Sequence, residues 1–172
     1  MEPAGQPPRP GTGPSSNPPV PAGSGAEWVL VCDDTASIRL LIRINLELAG
    51  FEVIEATDGA AALALLRRNP DRPPSVIVLD AQMRPLDGWG AIAAIRADPA
   101  LTDLPVIMVT AALQQREEER SAAVGVDVFL PKPFDPDDLV DLVQDLARNG
   151  RPRDRPPVRP PSRPRGRPPG HP

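Results

Sequence analysis

Five short apolar runs constrain this chain more than any other feature. They are Trp28-Val29-Leu30-Val31-Cys32, Phe51 to Ala56, Val76-Ile77-Val78-Leu79, Val106-Ile107-Met108-Val109 and Val128-Phe129-Leu130. Each has the length of a buried strand. The stretches between them read as helices. Ile38, Leu41, Ile42 and Leu46 recur at helical spacing between Ser37 and Leu48, Ala49 continues the spacing, and Gly50 stops that run. A second helix is expected from Ala60 to Asn69, closed by Pro70, and a third near Trp89–Ala97. A fourth, with a strongly charged face, is expected from Gln114 to Val124. The last runs from Asp135 to Arg148, with Asp135 as cap, Pro136 at its first position and Gly150 as its stop. Buried strands joined by crossover helices imply a parallel sheet covered on both faces. Right-handed crossovers make it doubly wound. The expected fold is therefore α/β, with five parallel strands and five helices.

The ends of the chain differ from this middle. Of the 26 Pro, residues 1–26 hold eight and residues 150–172 hold nine, which leaves nine for the 123 residues between. A Pro- and Gly-rich segment buries too little apolar surface to offset its ordering entropy. Residues 1–26 are expected to be a disordered arm, 27–149 one folded domain, and 150–172 a disordered Arg/Pro-rich tail, with too few residues left for a second output domain. Charge follows the same division. The arm sums to zero; the tail sets seven Arg against Asp154, a net +6; the middle has 11 basic and 21 acidic residues, a net −10. No apolar run approaches the roughly 18 residues of a membrane span, and no secretory signal is visible. One Cys, Cys32, and one His, His171, leave no internal disulfide framework and no Cys/His zinc site. A cytoplasmic protein without membrane contact follows as the expectation.

The polar residues that end the runs carry the functional signal. Asp33 and Asp34 end the first strand, Asp80 the third, Thr110 the fourth, and Lys132 follows the fifth. In an open α/β sheet that carboxyl edge holds the ligand crevice. If the first and third strands are neighbours, about 4.8 Å apart, the three carboxylates crowd into one pocket. Such a cluster takes up a proton or a cation. All-oxygen ligands suit a hard divalent ion, Mg²⁺ above all, with Mn²⁺ as a substitute. Lys132 supplies a positive charge and Thr110 a hydroxyl for phosphoryl oxygens, and Asp80 is the natural nucleophile for phosphoryl transfer. Singly, each residue reads equally as a turn or cap residue. The conjunction on successive strand ends carries the chemistry. Cys32 reads as a small core residue and Glu117-Glu118-Glu119 as a solvated helix face.

These residues resemble the receiver domain of two-component response regulators. The resemblance rests on VLVCDD (29–34), Arg39, FEVIEATDG (51–59), VIVLD (76–80), the loop to Asp87-Gly88, PVIMVTA (105–111) and GVDVFLPKPF (125–134). It implies a flavodoxin-like strand order, 2-1-3-4-5, in a single-domain regulator. It further implies that a histidine kinase or phosphotransfer protein phosphorylates Asp80. Asp33, Asp34, Asp80 and the backbone carbonyl of Gln82 would hold the Mg²⁺. Thr110 would shift, Phe129 would rotate inward, and Lys132 would bridge to the phosphoryl group, with a cis Lys132–Pro133 bond. A downstream protein would read the face made by the fourth helix, fifth strand and fifth helix. Such a chain is a phosphoacceptor switch rather than an enzyme acting on other substrates. Two departures stand out. Arg84 replaces the family's usual Pro, with Pro85 following, and Gln82 and Ala112 occupy positions that tune phosphoryl lifetime.

Three rival readings remain at this stage. A phosphatase using Asp80 as nucleophile would want a cap segment, and the loops are short. A receiver that takes no phosphate would be expected to have a broken acidic pair, and this one is intact. Finally, Pro164-Arg165-Gly166-Arg167-Pro168 resembles an AT-hook core, which would lay Arg165, Gly166 and Arg167 in the narrow minor groove of A·T-rich DNA. Tail composition alone also produces such a match, and the +6 tail could instead lie against the acidic domain or an acidic partner.

Overall fold

The computed structural model describes residues 25–111 and 125–152. In chain order the elements are β1 (Trp28–Cys32), α1 (Ala36–Leu48), β2 (Glu52–Ala56), α2 (Gly59–Arg68), β3 (Val76–Asp80), α3 (Gly88–Ala97), β4 (Val106–Thr110), β5 (Val128–Pro131) and α4 (Pro136–Asn149). The five strands form one parallel sheet in the order β2-β1-β3-β4-β5. The expected strand order is thus present. The helix count is not: among the described residues there are four helices where five were expected. The expected helix from Gln114 to Val124 lies outside the described residues. From Gln114 to Ser121 the sequence has no apolar residue. That expectation therefore rested on charge pattern, without the apolar stripe that docks a helix on a sheet.

Alternation along the strands divides the core in two. Leu30, Cys32, Ile77, Leu79, Met108 and Phe129 face α2 and α3, where Leu66, Trp89, Ile92 and Ile95 meet them. Val29, Val31, Val78, Ile107, Val109 and Leu130 face the other way, onto Ile42 and Leu46 of α1 and Leu139, Val143 and Leu146 of α4. Side chains on a strand point to opposite faces in turn, so a run apolar at every position needs helices on both sides. One sequence expectation on α1 shifts. Ile42 and Leu46 are buried, but Leu41, placed on the same apolar face, is 43% exposed, and Leu48 is 82% exposed.

Helix starts follow local hydrogen bonding. The Asp58 carboxylate accepts from the Ala61 amide at 2.9 Å, Asp87 from Gly90 at 2.7 Å and Asp135 from Asp137 at 3.0 Å. Each satisfies an amide that the first helical turn leaves without a backbone partner. Pro136 occupies the first turn of α4, and Gly150 closes it at φ +69°, a conformation that glycine adopts without a Cβ clash.

Candidate functional site: an acidic pocket at the carboxyl edge of the sheet

Register places the site. Cys32 pairs with Leu79, so Asp33 and Asp80, the next residues on β1 and β3, emerge side by side. Asp80 pairs with Val109 and Thr110 with Pro131, which brings Thr110 and Lys132 to the same edge. Carboxylate oxygens of Asp33, Asp34 and Asp80 all lie within 4.8 Å of one another. Asp33 and Asp80 are buried, and Asp34 is exposed at the pocket mouth. Lys132 Nζ lies 2.9 Å from Asp33 Oδ2 and 3.3 Å from Asp80 Oδ1. The chain stretch that carries Lys132 is held by its own amide, which donates to the Thr110 carbonyl at 2.8 Å. Thr110 itself is fully buried.

Neighbouring groups fix these side chains. Asp33 Oδ1 accepts the Thr35 amide at 2.8 Å, and its carbonyl accepts Arg39 Nη1 at 2.8 Å. Arg39 in turn pairs with Glu55 of β2 at 2.9 Å. Arg39 and Glu55 are therefore positioning residues for the first acid, a role that strand-end reasoning does not reach. Asp80 Oδ1 accepts the Gln82 amide at 3.2 Å. The β3–α3 loop folds back tightly: the Gly88 amide donates to the Ala81 carbonyl at 3.2 Å, and a Cβ on Gly88 would collide with the Asp80 carbonyl oxygen. Lys132–Pro133 is cis, as the resemblance implied, and so is Arg84–Pro85. Phe129 is buried in the core, its ring centroid 6.1 Å from that of Trp89.

The pocket is electrostatically short of positive charge, with three carboxylates against one ammonium. Burial pushes the Asp80 carboxyl above its ordinary value, and the Asp33 charge adds to this, against the opposing Gln82 amide and Lys132. Burial would by itself lower the Lys132 ammonium, but the hydrogen bond and charge of Asp33, with the charge of Asp80, raise it overall. A cluster of oxygen donors with surplus negative charge and one acid open to solvent fits a hard divalent cation.

Cys32 lies directly behind the acids, with Sγ 3.5 Å from Met83 Sδ. Burial, then the charges of Asp58, Asp33 and Asp80, push its thiol well above the ordinary range. The thiolate is the nucleophile, so this thiol is inert in the folded protein. Alkylation by a small maleimide at neutral pH should proceed only as the protein unfolds in denaturant. Full labelling within minutes of the native protein would contradict the burial described.

Of the remaining sequence candidates, Gln82 sits at the pocket mouth. It is exposed and shares a cavity of about 510 Å³ with Asp34, Met83 and Asp87. Ala112, Glu117-Glu118-Glu119, Arg165, Gly166 and Arg167 lie outside the described residues. One buried group escaped the sequence reading altogether. Asp127, before β5, is 4% exposed and binds Arg96 Nη2 at 2.9 Å, Arg151 Nε at 2.7 Å and the Val106 amide at 2.9 Å. An Asp flanked by Val126 and Val128 was its visible signal, since a charge inside an apolar run needs partners. Burial lowers the Arg96 guanidinium to about 10, which leaves it charged at neutral pH.

A doubly wound sheet with an acidic, lysine-bridged notch at its carboxyl edge defines a class of protein, the phosphotransfer switch domains. The chain belongs to the response regulator receiver domain family, which it matches over residues 29–144. Among curated proteins it is 35% identical over 122 residues to the probable transcriptional regulator ycf27 of Porphyridium aerugineum, covering 71% of this chain and 48% of that one. It is 33% identical over 126 residues to the phosphate regulon transcriptional regulatory protein PhoB of Pseudomonas aeruginosa, covering 73% and 54%. The chain therefore spans about half the length of the curated relatives it matches. Among solved structures, the Vibrio cholerae chemotaxis response regulator CheY4 is 31% identical, with a TM-score of 0.64, over 70% of this chain and 98% of that one. The Mn²⁺-bound response regulator Rcp1 is 26% identical, with a TM-score of 0.59, over 70% and 91%. Among the described residues no helix is long and apolar enough to cross a membrane.

Proposed function

We propose that this chain is a two-component receiver that accepts a phosphoryl group on Asp80 and uses it to switch a protein-binding surface. The observation that carries this reading is the position of Lys132 Nζ, 2.9 Å from Asp33 and 3.3 Å from Asp80 within the acidic trio. A phosphohistidine on a histidine kinase or phosphotransfer protein is the donor. An Asp80 oxygen bonds to phosphorus as the donor P–N bond breaks, and the imidazole leaves with the electron pair. Asp33, Asp34, Asp80 and the Gln82 carbonyl would hold Mg²⁺, which would supply positive charge against the phosphoryl oxygens. Lys132 moves its ammonium from the carboxylates to a phosphoryl oxygen. The Thr110 hydroxyl takes another, and Phe129, packed on Trp89, carries the change into the core. The readout surface is built on β5 and α4, for a downstream protein in the cytoplasm. Residues 27–149 form the switch, together with Arg151, whose side chain is bound into the domain.

Metal removal tests this reading. Incubation with a small acyl phosphate and Mg²⁺ should add one phosphoryl group per chain, mapped to the peptide containing Asp80, and a chelator should abolish it. Modification that persists without divalent metal, or maps elsewhere, rejects the assignment. A second reading rests on the Pro164–Pro168 motif, by which the tail would bind A·T-rich DNA. Removal of residues 153–172, which spares Arg151, should then cost most of the affinity for such a duplex and none of the phosphorylation.

A further inference from the structure

Arg84 is the one charged residue of the β3–α3 loop that neither the acidic pocket nor the capping of α3 accounts for. It is exposed, and its guanidinium makes no ion pair or hydrogen bond among the described residues. It borders the cavity of about 510 Å³ together with Asp34, Gln82, Met83, Asp87 and Trp89. That space is in the range that admits a small molecule. It also opens onto the acidic pocket, because Asp34 belongs to both and its carboxylate reaches within 4.8 Å of that of Asp80.

Charge at this mouth opposes the very ligand the pocket needs. Three carboxylates and Lys132 leave a net −2, which one divalent cation cancels. Asp87, exposed at the start of α3, adds a further negative charge at the rim. A phosphorylated donor arriving as a dianion would meet a neutral pocket behind a negative lip. Arg84 cancels the negative charge of that lip. Its planar fork also matches two phosphoryl oxygens at once, which an ammonium cannot do.

We propose that Arg84 captures the phosphoryl end of a small acyl phosphate at the cavity mouth and so lowers the donor concentration at which Asp80 is loaded. The inference rests on Asp80 as the acceptor. In the transfer, an Asp80 oxygen bonds to phosphorus, the O–P bond of the acyl phosphate breaks, and the carboxylate product leaves with the electron pair. No proton moves. Arg84 acts on capture, so its contribution lies in the donor concentration needed rather than in the maximal rate. It also lies at an exposed site, so it is screened by salt.

The test uses the full chain with acetyl phosphate and Mg²⁺, comparing Arg84→Gln, Arg84→Lys and Arg84→Glu. The Gln variant should need about 3- to 10-fold more donor for half-maximal loading, with the maximal rate kept, as expected for loss of an exposed charge-assisted contact. Lys should recover part of the loss and Glu should load more slowly than Gln. The gaps should narrow as salt is raised. A merely structural role would instead shift the melting midpoint or the Mg²⁺ affinity of all three variants alike. Unchanged half-saturation in the Gln and Glu variants overturns the proposal while leaving Asp80 as acceptor. A wild-type protein that takes no phosphoryl group on Asp80 overturns the functional reading itself, and this inference with it.

Discussion

Asp80→Asn is expected to give a folded protein that carries no phosphoryl group and is more stable than the wild type in the absence of divalent metal. The first part follows from chemistry, since an amide oxygen at this position is far too weak a nucleophile to replace the carboxylate. The second follows from burial. The Asp80 carboxyl titrates above its ordinary value, so the native state holds that proton more tightly than the unfolded chain does. Stability from this group is therefore greatest in acid, falls as pH rises from the unfolded value through the raised native one, and is lowest above it. The Asn variant has no such loss. It should be the more stable of the two near neutral pH, and the difference should vanish once the pH falls below the ordinary carboxylate value. Lys132 still has Asp33 at 2.9 Å, so the substitution strands no buried ammonium. Urea midpoints at the two pH values, with intact mass after acyl phosphate treatment, measure both parts. A variant that still gains the phosphoryl mass, or is less stable at neutral pH, contradicts the site as described.

Asp127→Ala should be the most damaging single substitution among the charged residues, at about 3–5 kcal/mol, the usual cost of breaking a buried pair by removing one partner. It would leave the guanidinium groups of Arg96 and Arg151 facing each other without their shared carboxylate, and the Val106 amide without its acceptor. Those guanidiniums also tie the Thr102, Leu104 and Gly125 carbonyls together. A loss of that size is a large share of the stability of an ordinary domain. Chemical denaturation should show the midpoint falling with an unchanged slope. A loss under about 1 kcal/mol would mean that the cluster is screened by solvent like a surface pair. Ending the chain after Asn149 would remove Arg151 as well, so domain variants are better cut after Pro152.

The contrast between these two aspartates shows what a linear reading can reach. Asp80 was legible because it ends a run of Val76, Ile77, Val78 and Leu79, and strand ends in such sheets share one edge. Asp33, Asp34, Thr110 and Lys132 were legible for the same reason. Asp127 carried a signal, a charge between two valines, but nothing in the sequence names its partners at Arg96 and Arg151. Arg151 read as the first charge of a basic tail. Arg39 and Glu55 counted among the residues of the resemblance, but their pairing was not legible, because it depends on α1 lying across β2. The helix expected from Gln114 to Val124 rested on charge, which sets no packed face.

Amino-acid order alone determined the five strands and the four described helices, their limits to within a residue or two, and which polar side chains stand at the strand ends. Those features depend on periodicity and on capping, both of which act within a few residues of chain. Only the tertiary structure decided that Lys132 lies 2.9 Å from Asp33, a partner 99 residues away, and that Asp127 is clasped by two arginines. Such meetings depend on strand order and register, which arise when the whole core closes and are encoded in no single stretch of residues.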